Sequence, residues 1–262
     1  SATQSEQRRR KRVSRSPESE EYADGEDFTQ TNGSSQEQMV KKLVRLALSC
    51  EYSRQPIRRV DIGKVLGGRS RQFKEVFDEA QMTLRDTFGM ELVELPVKEK
   101  VTLQQRRAAQ KSEKQATSSK SWVLQSTLPD KYRDPDIIPP PQIPSTETES
   151  AYVGLYTFIV GVIYLAGGTL PEAKLERYLR ATNTETSTPI DLTQKLITRL
   201  IREGYIVRNR DNSSGEEVVE YMVGPRGKVE IGEEGVAGLV QTVYGEKAPD
   251  DLERRLERSL GL

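Results

Sequence analysis

The 262-residue sequence is 34% hydrophobic and 31% charged, with a mean hydropathy of −0.67. That is too polar for one compact domain throughout, so the apolar residues are concentrated in part of the chain. Forty Lys and Arg balance forty Asp and Glu, so only the distribution of charge bears on partners. There is no histidine and a single cysteine, Cys50, which excludes Ser-His and Cys-His nucleophile systems, disulfides and thiolate zinc sites within the chain.

Residues 1–35 read as a disordered charged tail. A basic block, Arg8 to Arg12 with Arg15, fits either a nuclear-import patch or a generic charged tail. An acidic block from Glu18 to Asp27 follows. Order is expected from Gln36. Met39, Val40, Leu43, Val44, Leu46, Ala47 and Cys50 recur at helical spacing, with Ser34 or Ser35 as the cap. Ile57, Val60, Ile62, Val65 and Leu66 predict a short second helix ended by Gly67-Gly68, and Phe73 to Phe88 a third, stopped by Gly89. Met90, Leu92 and Leu95 predict a strand, and Trp122-Val123-Leu124 its return. The polar, lysine-rich stretch between them reads as a long wing at about 97–120. Prolines crowd residues 128–150, which predicts an extended linker.

The plan then repeats. Tyr152 to Leu165 is a very apolar helix closed by Gly167-Gly168; its apolar run of about 15 residues is shorter than the ~20 that a membrane span needs. Leu170-Pro171-Glu172 opens a short helix and Pro189 a third, ended by Gly204. Tyr205 and Val207, then Val219, Tyr221 and Val223, predict two strands around an Asp211 to Gly215 turn. Helices follow over about 233–244 and 250–260. Three helices and a hairpin, twice over, predict a mainly α chain with small β wings (α+β), as tandem winged-helix domains. The first is 36–127 and the second 151–262 with added C-terminal helices.

No catalytic residue set is found, and no cofactor or metal is expected. Cys50 lies on an apolar helix face and reads as core. Residues 36–127 carry 18 basic and 11 acidic residues, and 128–262 carry 16 and 22, so the first unit could meet an anionic polymer. In the second unit Lys195, Arg199 and Arg202 fall in one stripe of the third helix, opposite Leu196, Ile197, Leu200 and Ile201, with Arg208 and Arg210 on the next strand. The corresponding helix of DNA-binding helix-turn-helix domains faces the duplex, so these five residues are candidate DNA contacts; a solvated face is the plainer alternative. The helix at 152–160 is apolar nearly all round, more than a ~90-residue domain readily buries. Tyr156 and Ile159, with Val236, Leu239, Val240 and Val243, are therefore candidates for a groove that takes a partner helix. The alternative is that the chain's own C-terminal helix covers them.

At these residues the chain resembles the MAGE homology domain. Leu43-Val44-Arg45, Pro56 to Ile62, Phe88-Gly89-Met90-Glu91-Leu92, Leu200 to Ile206 and Tyr221-Met222-Val223-Gly224-Pro225-Arg226 carry the resemblance, over roughly 36–260. It implies a non-catalytic adaptor of an SMC-type chromosomal complex in DNA repair and recombination, in the nucleus. Its implied partners are a kleisin subunit on the second unit, a RING-type ubiquitin-ligase subunit on the first, and double-stranded DNA, with no membrane. The RING partner would meet helix one at Leu43, Leu46, Ala47 and Leu48; MAGE proteins usually carry adjacent leucines where this chain has Ala47-Leu48. A sequence-specific winged-helix transcription factor is the alternative, for which Gln194 is the one good base reader.

Overall fold

The computed structural model describes residues 32–68, 70–96, 120–132, 145–211 and 218–261. The charged tail, the basic wing, most of the proline-rich linker and residues 212–217, which take in most of the expected Asp211 to Gly215 turn, fall outside the described residues.

The first unit contains α1 (Asn32–Tyr52), β1 (Ile57–Arg58), α2 (Arg59–Val65), α3 (Phe73–Phe88), β2 (Met90–Glu94) and β3 (Ser121–Ser126). The second contains α4 (Thr146–Leu165), β4 (Thr169–Pro171), α5 (Glu172–Ala181), α6 (Thr193–Glu203), β5 (Ile206–Asp211) and β6 (Val218–Val223). Helices α7 (Pro225–Glu230), α8 (Gly232–Tyr244) and α9 (Leu252–Leu260) follow. This is an α+β fold of two winged helices in tandem. One core gathers Leu43, Ala47, Ile62, Val76, Ala80 and Leu84 with Trp122 and Leu124; the other gathers Tyr152, Ile159, Ile163, Leu170, Leu196 and Leu200 with Tyr205 and Tyr221. Gly89 and Gly204, both at positive φ, end α3 and α6 as expected.

Several elements differ from expectation. Each sheet has three strands, in the orders β1-β3-β2 and β4-β6-β5. Ile57 pairs with Trp122 and Leu170 with Tyr221 instead of opening helices. Strands of two and three residues carry no alternation to read, and Pro171 is tolerated because β4 lies at an edge. Ser34 and Ser35 lie inside α1, which begins at Asn32. Helix α6 begins at Thr193, not Pro189, because the Thr188 hydroxyl accepts from the Ile190 and Asp191 amides and holds a turn there. The span Glu147–Leu165 has the length and hydropathy of a membrane span, more than the sequence run predicted, but Tyr152, Ile159, Val160 and Ile163 within it are buried in the second core. Cys50 is half-buried against the first core, and burial pushes its thiol up, with Asp61 and Glu51 adding to the shift.

The two units are clamped together by buried ion pairs. Arg54, just past α1, donates to Glu149 of α4 and to the Tyr205 hydroxyl at 3.0 Å. Arg226 of α7, 1% exposed, donates to Glu51 of α1 at 3.0 Å and to Glu230. Tyr205 donates to Glu230 at 2.6 Å and stacks on Tyr156 with centroids 4.3 Å apart. The Gly224-Pro225-Arg226 segment delivers the second arginine. Gly224 crosses the Gly204 carbonyl so closely that a Cβ would lie 2.2 Å from its oxygen. The Gly224 amide donates to Tyr205 O at 2.8 Å, and Pro225 starts α7.

Burial pushes the Glu51 and Glu149 carboxyls up despite their arginine partners. Stability from a carboxyl raised in this way is full below its unfolded value and falls as pH climbs through the folded one. The stability of the unchanged chain relative to Glu149→Gln should therefore fall as pH rises above the ordinary glutamate range of about 4.5; thermal unfolding followed from acid toward neutral pH measures it, and a rise would contradict the assignment. Arg54→Ala strands the buried Glu149 and should cost about 3–5 kcal/mol in a denaturant titration.

Candidate functional site

Helix α6 turns Leu196, Ile197 and Leu200 inward and Gln194, Lys195, Thr198 and Arg202 outward. Asp191, Gln194, Lys195, Thr198, Arg199 and Arg202 line a shallow concavity of about 450 Å³. Lys195 and Arg202 are each 66% exposed; Lys195 lies 3.3 Å from Asp191, and Arg202 3.8 Å from Glu203. Arg199 is different. Its Nε donates to Glu203 at 2.8 Å, and its guanidinium lies over the Tyr152 ring at 3.9 Å. Glu203 is 3% exposed and also accepts from the Tyr152 hydroxyl at 2.6 Å. Burial, then that bond to Glu203, raises the Tyr152 hydroxyl. Arg199 is thus held inward and supports α6 from beneath.

Arg208 is also engaged. It donates to Glu172 of α5 at 2.9 Å, and the Tyr221 hydroxyl reaches the same oxygen at 3.0 Å. Burial and that bond push the Tyr221 hydroxyl up to about 12. Arg210 lies two residues on, exposed. The equivalent helix of the first unit, α3, exposes Glu75, Asp78 and Asp86 among its cations, whereas no exposed residue of α6 is acidic.

The second surface is an apolar groove of about 340 Å³ between α4, α8 and α9. Phe158, Val162 and Leu165 line it from α4, and Leu239, Val240 and Val243 from α8. Val243 is 76% exposed. Four of the six expected groove residues, Val236, Leu239, Val240 and Val243, line it. Tyr156 and Ile159 do not: both are buried in the second core, because they project from the opposite side of α4. Val236 is wholly buried beneath Leu252, Leu256 and Leu260 of α9. The chain's own C-terminal helix therefore covers part of this face and leaves part open.

On α1, Leu43 and Ala47 are fully buried in the first core and unavailable to a partner; Leu46 and Leu48 are half-buried at its flank. The sequence reading missed Glu203, the buried anchor of α6. Its signal was a carboxylate falling with Leu196 and Leu200 on the apolar side of that helix, a position that demands a partner. Among the described residues no three carboxylates or thiols converge to hold a metal ion.

A family model for the MAGE homology domain matches residues 43–234. The chain belongs to the MAGE homology domain family. The match begins inside α1 and ends in the first turn of α8, so α9 and most of the groove's α8 wall lie beyond it. Over 229 residues this MAGE domain protein is 28% identical to "Non-structural maintenance of chromosome element 3" of Schizosaccharomyces pombe, covering 84% of this chain and 68% of that protein. It is 26% identical over 216 residues to the human "Non-structural maintenance of chromosomes element 3 homolog", covering 80% and 62%. The chain thus spans about two thirds of these relatives' length. Its fold matches a chain of the solved "Nse1-Nse3-Nse4 complex", with a TM-score of 0.67 and 19% identity over 88% of this chain and 99% of that one.

The two kinds of arginine on α6 are separable by stability. Arg199→Ala removes one partner of a buried carboxylate that keeps the Tyr152 hydroxyl, and should lower the thermal midpoint by several degrees, at about 1.5–3 kcal/mol for a hydrogen bond to a charged group. Arg202→Ala, at an exposed position, should leave it within about a degree. Equal effects would place Arg199 on the solvent side.

Proposed function

We propose that the chain is a non-catalytic adaptor subunit of an SMC-type chromosomal complex for DNA repair and recombination, acting in the nucleus on chromosomes. It bridges a kleisin subunit and a RING-type ubiquitin-ligase subunit and binds double-stranded DNA. The observation that carries this reading is the similarity, over four fifths or more of the chain, to two proteins named as element 3 of the non-structural maintenance of chromosomes. Three surfaces support the reading, one for each partner.

The kleisin docks a helix in the α4–α8–α9 groove, on Leu239, Val240 and Val243. The RING subunit meets the exposed flank of α1, through Leu46 and Leu48. Duplex phosphates meet the outward face of α6, chiefly Lys195 and Arg202, with Arg210 and the outer edge of Arg208 on β5. Arg199 holds α6 in place rather than leading the contact. The cations Lys195 and Arg202 on this face, with Gln194 as its one good base reader, support backbone contact over base reading, which disfavours the transcription-factor alternative.

Val243→Glu tests the groove. The residue is exposed in the free chain, so the charge costs nothing until a partner buries it. Kleisin affinity should fall about 10-fold or more in a calorimetric titration, with the thermal midpoint unchanged. Unaltered affinity would remove the kleisin from this groove.

Lys195→Glu with Arg202→Glu should weaken binding to all duplex sequences alike and flatten the slope of log affinity against log salt by about 2. Loss confined to one sequence would favour the transcription factor. An unchanged slope would remove the duplex from α6.

A further inference from the structure

Helix α9 is attached to the rest of the chain by one row of side chains. Leu252, Leu256 and Leu260, spaced four apart, are its buried residues. Glu253, Arg254, Arg255, Glu257 and Arg258 face outward, and Arg255 pairs with Asp251 at the start of the same helix. The leucines rest on Val236, with Tyr164, Ile231, Ala237 and Val240 at the margin, in a small cluster that shares Tyr164 and Ile231 with the margin of the second core. Among the described residues no hydrogen bond or ion pair joins α9 to another element. Residues 241–251, which lead into it, are exposed throughout. An element held by a few apolar contacts on an exposed tether opens far more readily than the domain unfolds.

The row covers only part of the apolar face. Beside it Phe158, Leu165, Leu239 and Val243 remain open. The structure therefore shows what this face accepts: an amphipathic helix laid down by leucines at i, i+4 and i+8, with charges turned to water.

We propose that α9 is the chain's own occupant of this face. The partner helix carries apolar residues at the same spacing and takes the place of α9 on binding. This rests on the reading of the groove as the kleisin site. The competent state is the one with α9 unseated, so its low population weakens apparent affinity, and loosening α9 strengthens it.

The test uses the full chain in three forms: unchanged, Leu256→Ala, and Leu252→Glu with Leu256→Glu. The first probe is a fluorescein-labelled peptide of residues 249–261, followed by anisotropy. It should bind the double variant about ten-fold or more tighter than the unchanged chain, where the seat is filled. A peptide with all three leucines replaced by alanine should not bind. The second probe is the kleisin subunit, which should bind Leu256→Ala about three-fold or more tighter than the unchanged chain. Circular dichroism melting confirms that both cores persist in the variants.

Peptide binding that is equal across the three forms, or absent from all, overturns the proposal. So does weaker kleisin binding to Leu256→Ala, because α9 is then a fixed wall of the groove. If the peptide discriminates as expected but the kleisin binds no form, the kleisin reading fails and the self-occupied seat stands.

Discussion

Two buried arginines decide how the halves of this molecule sit together. Arg54 leaves the end of α1 to reach Glu149 and Tyr205, and Arg226 leaves α7 to reach Glu51 and Glu230. Replacing such pairs by well-packed apolar residues is often neutral or stabilising, while losing one partner strands a buried charge. A seam of this kind therefore specifies an orientation more than it adds stability. An apolar seam would tolerate sliding; fixed guanidinium forks against carboxylates and a tyrosine hydroxyl do not. Glycine is required at 224 because the segment that carries Arg226 passes almost in contact with the Gly204 carbonyl.

Helix α4 is the spine on which the seam and both candidate surfaces depend. Glu149 and Tyr152, near its start, lie in the seam, and Tyr152 lies between Arg54 at 5.2 Å and Arg199 at 3.9 Å. Ile159 and Ile163 fill the second core. Phe158, Val162 and Leu165 line the groove. A helix that serves a core on one side and a groove on another is apolar on both, and Val153 and Gly154 are left exposed between them. The cationic face of α6 is tied into the same spine through Glu203, so the orientation of that face is set by buried partners.

Much of this was legible in the sequence. Helical stripes such as Phe73 to Leu84 and Leu196 to Ile201, ended by Gly89 and Gly204, fixed the long helices, and their repetition indicated the tandem plan. Strands β1 and β4 were not legible, because two or three residues carry no period and their partners lie about 65 and 50 residues away in the chain. The groove was read through α8, but Tyr156 and Ile159 were assigned to the wrong side of α4. On a helix without a polar face, periodicity cannot say which apolar side faces the core. The cations of α6 were visible as a stripe, whereas the carboxylates that hold Arg199 and Arg208 come from other turns and other elements. The seam was invisible for the same reason: Arg54 and Arg226 are 172 positions apart in the sequence, and nothing local marks a charged residue as buried.

The distance between the units reports directly on what the two arginines fix. With Cys50 replaced by serine, spin labels at exposed Lys64 in the first unit and exposed Glu176 in the second report their separation by pulsed electron resonance. A seam that specifies one orientation predicts a single narrow distance distribution, and a broad one when Arg54 and Arg226 are both changed to methionine. A broad distribution with both arginines present, or a narrow and unshifted one without them, would contradict it.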